Sequence, residues 1–241
     1  MIGKKRNTRK RKPKLAPRYA SSAKKIKGSH VNNEQQVQLV REFLRFPTCR
    51  CFVLKCFSEA NFHKSLKFGI WSTTRLHNAL LNQVYKSNKV AMRPILFFFS
   101  VCGTKHFSGI ARMTSEVRTD VQFQLWEKLK YEGFFHVEWL LVKDVPNFVL
   151  TGIKMSNTPT KKSITSCRDC EEVPFDEASE FLSLFVEFKS WSSAWDDSNH
   201  YDQLQKSIEQ KRKLKLPIGV DKTDLELFLK PLCSNESATV G

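Results

Sequence analysis

The run Phe52-Val-Leu-Lys-Cys-Phe-Ser-Glu-Ala-Asn-Phe-His-Lys-Ser-Leu-Lys-Phe-Gly-Ile-Trp-Ser-Thr73 divides at Ser58. Before it, Cys51 to Lys55 is a short apolar run bounded by polar residues, which predicts a buried strand. After it, Phe62, Leu66 and Ile70 recur at i, i+4 and i+8 on one helical face, and the Ser58 hydroxyl is suited to capping that helix. Trp71 then sits at the helix exit. Upstream, Leu39, Val40, Phe43, Leu44 and Phe46 predict a short helix stopping before Pro47. Downstream, a second helix over 75–87 carries Leu76, Leu80 and Val84 as its apolar stripe. Ile95–Val101, Phe107–Met113 and Phe134–Val142 read as strands, the first two joined by the turn Cys102-Gly-Thr-Lys105. A helix over Asp176–Lys189 presents Ala178, Phe181, Leu182, Phe185 and Phe188 to a core. A charged helix near 200–215 and a short one over Asp221–Lys230 follow. Strands and helices mix without regular alternation, which favours a compact α/β domain over a doubly wound sheet.

The chain has 241 residues, enough for one good core with extensions. Its net charge of +16 is uneven: twelve of the 40 Lys and Arg fall in residues 1–28, which hold no Asp or Glu. The rest carries 28 cations against 24 acids, a net of +4. Residues 1–35 have too few apolar side chains to offset ordering entropy and are expected to be a disordered basic arm. Such an arm contacts nucleic acid non-specifically or serves as a nuclear import signal. No apolar stretch follows the charges, so no secretory signal is read, and Ile95–Phe99 is far too short to span a bilayer. A soluble intracellular protein without a membrane partner is expected. Seven cysteines, an odd number, point to reduced thiols. Of Cys49-Arg-Cys51 and Cys167-Arg-Asp-Cys170 only the second has metal-ligand spacing, and no metal or other cofactor is expected. His63, His106 and His136 lack acidic or thiol partners at ligand spacing, no phosphate-cradling Gly-rich loop occurs, and Asp196 and Asp197 read as solvated acids. An enzyme is not expected.

A second run, Trp126-Glu-Lys-Leu-Lys-Tyr-Glu-Gly-Phe-Phe-His-Val-Glu-Trp-Leu-Leu-Val-Lys-Asp-Val-Pro-Asn147, completes a pattern with the first. A strand of the form Phe-x-x-Lys leads into a helix closed by Ile-Trp-Ser-Thr. Downstream come Trp, four residues, an aromatic, then Gly-x-Phe-x-Val-x-Trp and Asp-Val-Pro-Asn. With Gly103-Thr-Lys-His-Phe-Ser-Gly109 and Arg168-Asp-Cys-Glu-Glu-Val173, these segments resemble the YTH domain over roughly residues 47–200. The resemblance implies an α/β fold with an open six-stranded β-barrel surrounded by helices. The expected organisation is a basic arm at 1–35, the domain at 47–200 and a C-terminal helical extension at 201–241.

The resemblance further implies a non-catalytic reader of N6-methyladenosine in single-stranded RNA, acting on mRNA stability or translation. Trp71 and Trp126 match the family's stacking pair, and Tyr131 falls where the third wall belongs, a place many members give to Trp. Stacking a base on an aromatic ring contributes about 1–3 kcal/mol. The methyl adds only about 0.8 kcal/mol by burial, so discrimination needs a tight pocket. Asn61 aligns with the residue that meets adenine N1, and its amide can donate to an unprotonated nitrogen. Ser72 matches the residue whose carbonyl receives the remaining N6 hydrogen. Phe57 stands where a polar-tipped residue is common, and its bare ring removes one hydrogen bond. Lys55 and Arg168 match basic positions along the RNA path. Trp139 reads as core, and His106 as support for its strand turn. The Asp144–Asn147 stretch resembles the cytoplasmic branch of the family, whereas Asn61 and Trp71-Ser-Thr73 resemble the nuclear branch. Cytoplasm is the expected location, with nuclear import through the arm also open. Two other functions fit less of the sequence: a binder of an unmodified RNA element on the same fold, and an RNA-processing enzyme on a related barrel.

Overall fold

The computed structural model describes residues 34–43, 49–90, 93–214 and 223–232. The arm ahead of residue 34, together with Leu44, Phe46 and Pro47 of the first expected helix, lies outside them. In chain order the elements are α1 (Glu34–Phe43), β1 (Arg50–Cys56), α2 (Glu59–Phe68), β2 (Ile70–Trp71), α3 (Arg75–Val90), β3 (Ile95–Val101), β4 (His106–Met113) and β5 (Val121–Phe123). They continue with β6 (Phe135–Pro146), α4 (Asn147–Leu150), β7 (Glu171–Val173), α5 (Phe175–Glu187), α6 (Ser198–Lys211) and β8 (Leu229–Pro231). Short 3-10 turns cover Ile164–Ser166, Ala194–Asp197 and Leu225–Phe228.

Six strands form one curled, open sheet in the order β2-β6-β4-β3-β1-β7, a half-barrel with helices around it. The pairing of β1 with β3 is parallel, and the other pairings in this sheet are antiparallel. Such parallel neighbours need a crossover connection, and α2, β2 and α3 supply it, which places Trp71 on the edge strand β2 with its ring against Phe99 of β3. Strand β3 is buried at every position. Its side chains alternate: Ile95, Phe97, Phe99 and Val101 enter one apolar cluster, while Leu96 and Phe98 enter the other. Strand β1 divides the same way, with Phe52 and Leu54 on the first side and Cys51 and Val53 on the second. Two cores, one on each face, therefore explain why these strands are continuous apolar runs.

Helix α2 begins where Ser58 Oγ accepts the Asn61 N–H at 3.2 Å. It ends at Gly69, whose φ of +63° is the left-handed C-cap that favours glycine. Ile70, expected on the helical face, is instead the first residue of β2, because the cap redirects the chain into pairing with His136. The expected stripe of α3 is also corrected. Leu76 and Leu80 are 81% and 43% exposed, and the buried positions are Asn78, Leu81, Val84 and Asn88. Apolar periodicity misplaces this face because Asn78 turns inward, its amide tying down two loops. Asp196 is exposed, as expected of a solvated acid, and also accepts the Ser193 N–H at 2.9 Å in a capping box. The short helix expected over Asp221–Lys230 is a single 3-10 turn followed by β8, which pairs antiparallel with β5. No helix among the described residues is long and apolar enough to cross a membrane.

Candidate functional site

Between β1, α2, β2 and the loop after β5 lies a cleft of about 210 Å³. That is below the range of drug-sized sites, so it suits a single base or a group of similar size. Trp71, Trp126 and Tyr131 line it, together with Phe57, Asn61, Ser72 and Lys55. Seven of the eight expected site residues thus converge on one cavity from four separate stretches of chain. Arg168 is the exception: it is exposed and does not line the cleft, and its N–H donates to the Glu171 carboxylate at 2.8 Å.

The two indoles are not a parallel pair. Their centroids lie 5.8 Å apart at an interplanar angle of 73°, an edge-to-face corner. This is a favoured arrangement for aromatic rings. It leaves no slot between them for a base stacked on both. Trp71 is held by Phe99 at 4.9 Å and Trp126 by Phe123 at 5.0 Å, each edge to face. Tyr131 is half-buried, and the Lys130 ammonium lies 5.4 Å from its ring centroid. Phe57 is 69% exposed at the mouth.

Polar groups are oriented with little freedom. Asn61, on the first turn of α2, is buried, and its Oδ1 accepts the Glu127 N–H at 3.1 Å. A backbone N–H can only meet an acceptor, so this bond fixes which end of the amide is which and leaves Nδ2 as the donor for the cleft. Asn78 Nδ2 donates to the Glu132 carbonyl at 3.0 Å and reaches Ser72 Oγ at 3.4 Å, while its Oδ1 accepts the Thr73 N–H at 3.2 Å. One buried amide thus joins the Trp71 wall to the Tyr131 wall. Just after Glu132 the chain passes close to the Arg118 backbone, which requires Gly133: its φ is +72°, and a Cβ there would lie 2.3 Å from the Arg118 carbonyl.

Asp169 was not anticipated. It lines the cleft and accepts from the Lys55 N–H at 2.9 Å and from Thr73 Oγ at 2.7 Å, with His77 Nδ1 at 3.2 Å. Only its place beside Arg168 in a motif-bearing stretch signalled it. Lys55 Nζ donates to Ser100 Oγ at 3.3 Å, and burial lowers its pKa. Burial likewise raises the Tyr131 hydroxyl and pushes the Cys56 thiol up to about 12. That thiol stays protonated and is a poor nucleophile. Cys49 and Cys51 place their sulfurs 3.8 Å apart. Among the described residues no group of three or more His, Cys, Asp or Glu is placed to share a metal ion. His106 and Asp144 sit 3.3 Å apart between β4 and β6, away from the cleft. Trp139 packs in the core against Phe62 and Phe99 and donates to the Ser65 carbonyl at 3.1 Å.

A family model described as the YT521-B-like domain, YTH, matches residues 49–186. YTH domain-containing family protein 2 of Danio rerio is 37% identical over 169 residues, covering 69% of this chain and 27% of the relative. YTH domain-containing family protein 1 of Mus musculus is 34% identical over 203 residues, covering 83% of this chain and 35% of the relative. The chain therefore spans about a third of the length of these relatives. Among solved structures, the YTH domain of Zygosaccharomyces rouxii MRB1 protein in complex with N6-methyladenosine RNA superposes with a TM-score of 0.55 at 33% identity, covering 59% of this chain and 90% of that one. The Pho92 YTH domain in complex with m6A gives 0.57 at 31% identity, covering 60% and 91%. Sequence, fold and the aromatic cleft agree: the chain belongs to the YTH domain family.

Proposed function

We propose that this protein is a non-catalytic reader that binds N6-methyladenosine in single-stranded RNA and acts on mRNA, through its stability or translation. The observation that carries the reading is the convergence of Trp71, Trp126 and Tyr131 on a base-sized cleft with the Asn61 amide held donor-inward. Its support from relatives is that both solved structures above are complexes with the methylated base.

The base is neutral and flat, so it enters without desolvating a charge. In the corner made by the indoles it stacks on one ring while its methyl meets the other or Tyr131. Asn61 Nδ2 donates to the unprotonated N1, and the Ser72 carbonyl accepts the remaining N6 hydrogen. An unmethylated adenine makes the same hydrogen bonds but leaves the methyl-sized space unfilled, so preference comes from packing. Lys55 and Lys130 at the cleft, with the exposed Arg168 beyond it, supply cations for the phosphates on either side. Asp169 is engaged by the Lys55 N–H, the Thr73 hydroxyl and His77 Nδ1, contacts that brace the rim of the cleft. We place the protein in the cytoplasm, with the basic residues 1–28 competent for nuclear import; imaging with and without them tests this.

The decisive experiment compares binding of the full chain to a short single-stranded RNA with and without one N6-methyladenosine, at moderate salt. A preference of about tenfold, equal to about 1.4 kcal/mol, is expected. Equal affinities would redirect the search to unmodified elements, and any chemical change in the RNA would restore an enzymatic reading.

A further inference from the structure

The loop that carries Trp126 is held from outside by chain that follows the family match. Residues 124–133 contain no helix or strand, so their position depends on what grips them. Arg212, just beyond α6, donates from its guanidinium to the carbonyl oxygens of Gln124 and Glu127, the latter at 3.2 Å. One rigid fork thus brackets Leu125 and Trp126. From the next segment, the Phe228 carbonyl accepts the Gln124 N–H at 2.8 Å, and the Leu232 N–H donates to the Asp120 carbonyl at 2.8 Å. Between these bonds β8 pairs with β5, Phe123 opposite Leu229. Phe228 is fully buried and meets Phe68 at 5.4 Å and Phe123 at 6.3 Å, both edge to face. Phe123 meets Trp126, which meets Trp71, so one line of rings runs from the C-terminal segment to the cleft.

We propose that residues 198–214 and 223–232 are a positioning element for the pocket. Arg212 and Phe228 set the orientation of Trp126, and with it the preference for the methylated base, without touching RNA. This rests on the reading of the cleft as an N6-methyladenosine pocket. The physical reason is the small size of the methyl contribution. About 0.8 kcal/mol of burial is gained only if the wall stands at contact distance, and a side chain on an irregular loop keeps such a position only when a supporting shell locks it. Here Asn61 and Asn78 hold the loop from within the family match, and the rest of that shell, Arg212 and Phe228, lies beyond residue 186, where the match ends.

The test uses the full chain as wild type, Arg212→Ala, Arg212→Lys, Phe228→Ala and Phe228→Leu. Equilibrium affinity and release rate are read for methylated and plain RNA, with thermal unfolding of each variant. Arg212→Ala and Phe228→Leu are expected to unfold cooperatively above the assay temperature, bind plain RNA as wild type does, and lose about fivefold to tenfold in preference through faster release of methylated RNA. Arg212→Lys, a single point donor, should fall between Arg212→Ala and wild type. Phe228→Ala tests how far the fold depends on this ring, and Phe228→Leu with the Arg212 variants decides the proposal. A wild-type preference that folded Arg212→Ala and Phe228→Leu both retain would overturn this proposal alone. Equal loss for the two RNAs would overturn it as well, showing Arg212 to be an ordinary RNA-facing charge. A wild-type protein without preference would instead sink the pocket reading, and this proposal with it.

Discussion

On one face of the six-stranded sheet Phe98 lies stacked on Phe181 at 4.1 Å, and the buried Lys143 donates to the carbonyls of Val186 at 3.0 Å and Phe188 at 2.6 Å. On the other face Trp71 and Trp126 meet edge to face, and the equally buried Lys64 has no hydrogen-bond partner for Nζ among the described residues. Among the described residues six buried side-chain polar atoms lack a partner, and four of them, Lys64 Nζ, Ser65 Oγ, Trp71 Nε1 and Trp126 Nε1, belong to the cleft side. Each such atom costs about 1–3 kcal/mol. The face away from the cleft pairs its buried lysine with two carbonyls, whereas the cleft side leaves its buried lysine and both indole N–H groups without a partner among the described residues.

The sharpest way to break this contrast is to remove one ring from each face. Phe181→Ala should lower stability by about 3–5 kcal/mol, read by denaturant melts, and leave the methyl preference of the folded fraction unchanged. If it altered the preference, the two cores would not be separate in function. Trp71→Ala should cost about 1–3 kcal/mol of affinity for methylated RNA and abolish discrimination. Parallel loss for plain RNA would mean the indole merely holds the core.

The two lysines sharpen the comparison next. Burial lowers both to about 8 from an ordinary 10.5. The unfolded chain therefore holds more protons between these values, so stability is penalised in full below pH 8 and recovers as pH rises toward 10.5. Lys64→Met should raise stability at pH 7 by about 1–3 kcal/mol and flatten that recovery. Lys143→Met should gain less, because it strands two carbonyls. Equal gains would show that the carbonyl partners do not matter. Asn61→Ala should follow, losing about 1 kcal/mol of affinity for the base; an unchanged affinity would remove Asn61 from the pocket. The smallest effect concerns the arm. Deleting residues 1–28 should reduce the salt dependence of binding by about 0.7 logarithmic units per lost phosphate contact, with the methyl preference intact.

Much of this architecture is legible in the chain because it is local. The Ser58 cap and the continuous apolar runs of β1 and β3 follow from capping chemistry and period. The recognisable segments around Trp71 and Trp126 bring seven of the site residues into view before any coordinates. What periodicity misjudged were places where a long-range polar contact outweighs local pattern. Asn78 faces inward because it joins two distant loops, and it carries Leu76 and Leu80 out to solvent. Asp169, not Arg168, reaches the cleft because the Lys55 N–H, the Thr73 hydroxyl and His77 meet there.

By itself the sequence determined the longer helices and strands, the aromatic and amide chemistry of the pocket and the basic charge of residues 1–28, since these depend on residue identity and short-range spacing. Only the tertiary structure decided that the indoles form a corner, that Asn61 offers its NH2, and that Arg212 and Phe228 hold the Trp126 loop. Those outcomes depend on the angle between rings and on which donor meets which acceptor across long separations in the chain, and packing alone sets them.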